Sequence, residues 1–141
     1  MKTEIISCLP DHPETWEYAT EKASAYIVAG ELVAIPTETV YGLAGSALYS
    51  TAAEKIYAAK GRPSDNPLIV HVAKPADAEK YAHPTPLFYT LAERFMPGPL
   101  TIILPKKPII PDTVSGGLNT VAIRCPSHPI AHRLIEMSGH P

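Results

Sequence analysis

Two cations one residue apart, Lys60 and Arg62, sit in Lys60-Gly61-Arg62-Pro63-Ser64-Asp65-Asn66-Pro67. Such a pair can receive an anion: Arg62 offers phosphate or carboxylate a planar fork, and Lys60 adds a point charge. Asn66, between Asp65 and Pro67, carries an amide able to donate to a phosphate or a base. The same cations would also suit the negative end of a helix dipole with no ligand present. The segment is neither a Walker loop nor a dinucleotide fingerprint, because it lacks G-x-x-x-x-G-K-[ST] and G-x-G-x-x-G. A second polar cluster is Pro36-Thr37-Glu38-Thr39-Val40-Tyr41-Gly42-Leu43-Ala44-Gly45. Its glycines would let backbone approach a ligand closely. It reads equally well as an ordinary turn in which Thr37 and Thr39 bond their own backbone.

Two further residues stand in apolar alternation. In Leu68-Ile69-Val70-His71-Val72, Ile69 and His71 fall on one face of a strand and Leu68, Val70 and Val72 on the other. In Thr120-Val121-Ala122-Ile123-Arg124, Thr120, Ala122 and Arg124 share a face, opposite Val121 and Ile123. His71 suits a core or cleft position, and Arg124 suits either snorkelling to water or reaching a carboxylate. The remaining candidates carry less. His128 and His132 are four apart on the last expected helix, a spacing for a metal pair or for a solvated face. Lys106-Lys107 reads as a solvated dipeptide that could touch phosphates. Cys8 and Cys125 form no disulfide framework and no zinc pattern.

The elements that must position these residues alternate. A helix begins near Asp11, a candidate cap with Glu14 as capping-box partner, and Trp16, Ala19, Ala23, Tyr26 and Ile27 recur at helical spacing. Leu32–Ile35 reads as a buried strand ended by Pro36, followed by the polar loop. A second helix starts at Thr51, boxed by Glu54, and stops at Gly61. Strands follow at 68–72, 100–104 and 120–124, with helices after Pro75, between Pro86 and Met96, and from Pro129 to Met137. Gly116-Gly117 marks a turn before the last strand. This order predicts an α/β class. The chain has 141 residues, 45% of them hydrophobic, enough for one domain with a packed core. A formal charge of -2 excludes a generally basic coat protein but allows a local basic cleft. Sixteen prolines, scattered between periodic segments, imply short elements joined by stiff loops. No apolar run approaches a membrane span, and the opening residues give no secretory leader, so no membrane partner and a cytoplasmic location are expected.

Four segments together resemble one family: Pro36–Leu43, then Lys60-Gly61-Arg62-Pro63 with Asn66–His71, then Pro97-Gly98-Pro99-Leu100-Thr101, then Val121–Pro126. In this order and spacing they are similar to the YrdC-like domain of the threonylcarbamoyl-AMP synthase family, from about Glu14 onward. The resemblance implies a twisted mixed sheet with flanking helices around a concave, positively lined cleft. It implies that L-threonine, bicarbonate and ATP give threonylcarbamoyl-adenylate and pyrophosphate, magnesium accompanying ATP. Thr39, His71 and Arg124 would contact threonine. Lys60, Arg62, Asn66 and Thr120 would surround ATP, with Lys60 and Arg62 as the catalytic cations and no protein-held metal. The adenylate would feed the tRNA threonylcarbamoyl-transfer machinery.

The chief alternative is a YrdC-like protein that binds double-stranded RNA, tRNA or a nucleotide through phosphates without adenylate synthesis. A carbamoyl-adenylate-forming domain of the hydrogenase-maturation type is disfavoured, since neither acylphosphatase-like sequence nor zinc-finger cysteines precede the segment. Ala44 stands where the family often has glycine. The chain ends at Gly139-His140-Pro141 just after a helix. The resemblance implies that family domains continue with a strand and a Ser-Ala-Asn segment that touches both substrates, so residues 1–141 are expected to be one domain incomplete at its C-terminus. Such a piece should fold but turn over poorly.

Overall fold

The computed structural model of the chain describes residues 2–9 and 11–141. Helix α1 (Glu14–Val28) starts behind Pro13, whose φ of −56° is already helical. Asp11 does not cap it: proline supplies the helical entry without a side-chain oxygen, and Glu14 turns to His12 Nδ1 at 2.8 Å. Helix α2 (Ser50–Lys60) likewise starts one residue before the expected Thr51, with Tyr49 at its cap and no side-chain cap bond. Gly61 ends it with φ +59°, a left-handed geometry that glycine adopts without strain.

The expected polar loop is instead half strand. β1 (Val33–Pro36) and β2 (Tyr41–Ala44) form an antiparallel hairpin in which Val33 faces Ala44 and Pro36 faces Tyr41. Pro36 ends the strand from within it, as its last residue, where a missing N–H costs little on an edge strand. The connecting turn is tied by Thr37 Oγ1, which accepts from Thr39 and Val40 N–H at 3.3 and 3.2 Å and donates to Val40 O at 2.6 Å. Both readings of this segment thus hold in part: an ordinary threonine-bonded turn, on a hairpin rather than a loop.

The second sheet is mixed, in the order β3 (Ile69–His71), β5 (Thr120–Arg124), β4 (Thr101–Pro105). β3 runs parallel to β5, with His71 beside Arg124, and β4 runs antiparallel to it. Alternation works as expected. Val70, Val121 and Ile123 are buried with Phe88, Ile110 and Val114 in the main core. Ile69, His71 and Arg124 lie on the more open face. The hairpin belongs to a smaller core in which Ile35 meets Ile27, Ala131 and Leu134.

A short turn at Pro75–Asp77 leads into α3 (Ala78–Tyr81), and α4 (Pro86–Phe95) follows. Thr85 Oγ1 accepts from Phe88 N–H at 3.2 Å, fastening the first turn of α4 where Phe88 enters the core. Thr85→Ala is expected to lower unfolding free energy by about 1 kcal/mol with an unchanged denaturant slope, as loss of an N-cap does. An unshifted midpoint in a urea titration would refute this. Helix α5 (Pro129–Ser138) uses His128 as its cap, Nδ1 accepting from Ile130 N–H at 3.2 Å. His132 lies near Glu136. His128 and His132 are therefore no metal pair, because a ring nitrogen spent on a backbone amide has no lone pair left there for a cation. Lys106 and Lys107 are not a solvated dipeptide either. Lys106 Nζ donates to Ile110 O at 3.0 Å and Asp112 Oδ1 at 2.6 Å, and Lys107 Nζ donates to Glu79 O.

Candidate functional site

Between the hairpin and the mixed sheet lies a cavity of about 280 Å³. Its polar lining comes from several elements: Thr39 from the hairpin turn, Lys60 and Arg62 from the end of α2, His71 from β3 and Arg124 from β5. The apolar part includes Ile35, Ile56, Leu68 and Leu134. The fold thus brings five of the seven expected site residues to one wall system. Asn66 is not among the lining residues, but it touches Arg62. Thr120 stands apart at the start of β5, opposite Pro105 in register. It is four residues from Arg124, about 13 Å along an extended strand.

Arg62 organises its own loop. Nε donates to Asn66 O at 3.2 Å, and Nη2 donates to Asn66 Oδ1 at 2.8 Å and Pro67 O at 2.6 Å. The Asn66 side-chain oxygen is thereby engaged, and its NH₂ makes no hydrogen bond among the described residues. Tyr57, buried below, shares its hydroxyl proton between Asn66 O at 3.2 Å and Thr113 O at 3.0 Å. Gly116, at φ +60°, lies so close to Asp65 that a Cβ would meet its carbonyl oxygen at 3.0 Å. The cationic loop is therefore braced from beneath by the segment before β5.

Arg124 is not the open fork that the sequence suggests. Its Nη2 and Nε donate to Glu38 Oε1 at 2.5 and 3.2 Å, and Nη2 also lies 3.3 Å from Thr39 Oγ1. Glu38 Oε2 accepts from Ser127 N–H at 3.3 Å. The two side chains are only 11% and 16% exposed, so each has lost most of its water and needs the other. Burial pushes the Glu38 carboxyl up, but the Arg124 guanidinium and the backbone N–H groups outweigh it and hold it below the ordinary carboxylate range. Lys60 and Arg62 enter no ion pair among the described residues. The attraction this cavity offers an anion thus comes from that pair more than from Arg124.

Burial is the main force holding His71 below the usual imidazole range, and the nearby Arg124 adds to it. The Ile69 carbonyl and Glu38 pull the other way without cancelling it. Both shifts are depressions, so both groups stabilise the fold at higher pH and lose that contribution on acidification. For His71 the loss starts below about pH 6.5. For Glu38 it comes below about pH 4. Melting temperature is expected to fall in two stages on titration from pH 8 to pH 3, the first stage missing in His71→Asn. A single acid transition shared by both proteins would contradict this.

Cys125 is no nucleophile. Burial pushes its thiol up to about 11, and Sγ donates to Ala73 O at 3.3 Å. Among the described residues no cluster of three His, Cys, Asp or Glu side chains is disposed to hold a metal, and no helix is long and apolar enough to cross a membrane. Sequence reasoning did not single out Glu38, which does not line the cavity but pairs with the lining residue Arg124. Its only signal was a lone carboxylate in a hydroxyl-rich segment, 86 residues from its partner.

The Sua5/YciO/YrdC family model, described as telomere recombination, matches residues 25–141. The chain is 50% identical over 138 residues to a threonylcarbamoyl-AMP synthase of Pyrococcus abyssi, covering 97% of this chain and 40% of that protein. It is 53% identical over 122 residues to one of Bacillus subtilis, covering 85% and 35%. It therefore spans about two fifths or less of the length of these relatives. The crystal structure of P. abyssi Sua5 complexed with L-threonine superposes with a TM-score of 0.86 at 50% identity, over 89% of this chain and 37% of the other. The expected α/β architecture is thus shared with a solved relative, and the chain belongs to the Sua5/YciO/YrdC family.

Proposed function

We propose that this chain carries the substrate cavity of a threonylcarbamoyl-AMP synthase, an enzyme that joins L-threonine, bicarbonate and ATP and releases pyrophosphate. The observation that carries the reading is the joint lining of one cavity by Thr39, Lys60, Arg62, His71 and Arg124. The half-identical relative whose structure holds L-threonine supports it.

The chemistry needs positioning more than covalent help. The threonine nitrogen takes up the carbon of bicarbonate to give a carbamate. A carbamate oxygen then attacks the α-phosphorus, and pyrophosphate leaves. Lys60 and Arg62 offset charge on the triphosphate and the carbamate. Asn66 presents its NH₂ to a phosphate or the base, and Thr120 contributes at the far end of β5. Magnesium arrives with the ATP phosphates as part of the substrate. The threonine carboxylate takes the Nη1 edge of Arg124, which makes no hydrogen bond among the described residues. Thr39 and His71 complete the amino-acid pocket. The adenylate would pass to the machinery that modifies tRNA. Because the relatives are much longer, residues outside these 141 are taken to complete the substrate contacts.

The test incubates the full-length gene product with ATP, threonine and bicarbonate and measures pyrophosphate and threonylcarbamoyl-adenylate. Calorimetry with threonine, serine and valine accompanies it. Both products and a preference for threonine are expected. No adenylate, or equal binding of the three amino acids, overturns the reading.

A further inference from the structure

We propose that His71 Nε2 accepts the proton of the bound amino acid's α-ammonium group, freeing the amine that attacks the bicarbonate carbon. The proposal rests on the function just given and adds a proton-transfer role that the reading left without a residue.

The geometry has three parts. First, the tautomer is set. His71 Nδ1 lies 3.1 Å from Ile69 O. A carbonyl oxygen can only accept, so Nδ1 carries the hydrogen, and the neutral ring keeps its lone pair on Nε2. The ring lines the cavity, so it can serve a ligand there. Second, the distance is suitable. His71 and Arg124 are register partners on adjacent parallel strands, whose backbones run about 4.8 Å apart. An amino acid with its carboxylate on Arg124 carries its nitrogen one carbon away, within reach of the neighbouring ring. Third, the cavity has no better base. Lys60, Arg62 and Arg124 are cations. Glu38 Oε1 is taken by Arg124 and Oε2 by the Ser127 amide, and that carboxyl is held below its ordinary range. His140, whose Nδ1 meets Ser46 Oγ at 2.9 Å, lines the cavity from beyond α5 and is not a strand neighbour of Arg124, as His71 is. Burial also disfavours the charged form of His71, so the ring is neutral at pH 7 and ready to accept.

The step balances. The ammonium, R–NH₃⁺, loses one proton to Nε2 and becomes R–NH₂. Its lone pair forms the N–C bond to bicarbonate. One C–O bond breaks, and the nitrogen's second proton and the hydroxyl group leave as water. The product is R–NH–COO⁻. The imidazolium then returns its proton to solvent.

The experiment compares the full-length protein with His71→Asn, whose amide can still donate to Ile69 O, and with His71→Ala. Threonine affinity at pH 8 and kcat for adenylate formation from pH 5.5 to 9 are measured, with and without added imidazole. Asn should keep threonine affinity within about threefold and lose roughly 10²- to 10⁴-fold in kcat, the usual span for a general base. Its residual rate should climb about tenfold per pH unit as the amino acid ionises unaided, while the unaltered protein levels off above the pKa of His71. Imidazole should raise the rate of the Ala variant but not that of the parent. The proposal is overturned if kcat of the Asn variant stays within threefold of the parent. It is also overturned if threonine affinity falls as much as kcat, or if imidazole rescues nothing in a folded Ala variant. If the unaltered protein makes no adenylate from threonine, the reading of function fails instead.

Discussion

Arg124→Ala is expected to remove roughly 3–5 kcal/mol of stability, the usual cost of breaking a buried ion pair from one side. Glu38, 16% exposed while the pair is intact, would keep only backbone N–H groups, that of Ser127 among them, to satisfy it. The carboxyl would then take up a proton or swing to water, and either change loosens the turn of the hairpin. Arg124→Lys should recover little of this. A single ammonium cannot reproduce the contacts that Nε and Nη2 make together with Glu38 and Thr39. The double replacement Arg124→Met with Glu38→Leu should be much closer to the parent than Arg124→Ala, since it buries no unpaired charge. Urea unfolding of the three variants decides the matter. A loss below 1 kcal/mol in Arg124→Ala would mean that the pair is solvated and not a structural tie.

Arg62→Ala is expected to weaken ATP binding about 10- to 150-fold, equivalent to roughly 1.5–3 kcal/mol for a charge-assisted contact. The guanidinium spends Nε and Nη2 on Asn66 and Pro67. Those bonds fix its plane and leave its charge uncompensated beside the cavity. Removing it deletes a cation and also frees Asn66 to rotate, so two proposed ATP contacts fail together. Arg62→Lys restores charge without the three hydrogen bonds, and should recover only part of the affinity. Isothermal calorimetry with ATP, alongside a melting curve, separates binding from folding. An affinity within twofold of the parent would sink the assignment.

What the sequence discloses depends on how local the determinant is. The bounds of β5 are legible because Thr120–Arg124 alternates cleanly, with one face buried. Helix α5 is legible because proline marks its start and glycine its end. The hairpin is not, because β2 is only Tyr41–Ala44 and its register is set across the turn by Thr37. The two missed helix starts share a cause. Side-chain capping is one of several ways to begin a helix, and Pro13 and Tyr49 begin theirs by backbone geometry alone. At the site, alternation brings His71 and Arg124 to one face, but nothing local reveals that Glu38 occupies Arg124. That fact depends on a hairpin meeting a strand far along the chain, and only the folded arrangement holds it.

The cavity walls belong to two bodies that share no strand ladder: β1 with β2 on one side, and β3, β5 and β4 on the other. Across the gap the polar ties run from the hairpin turn: Glu38 reaches Arg124 and Ser127, and Thr39 reaches Arg124. The width of the gap is therefore a soft coordinate. Widening it by a fraction of an ångström bends no ladder and breaks no backbone hydrogen bond within either body. It acts on those polar ties and on side-chain packing around Ile35 and Leu134. A ligand that pushes the hairpin outward would therefore work against the Glu38 and Thr39 contacts to Arg124 and the packing of Ile35, and not against a strand ladder.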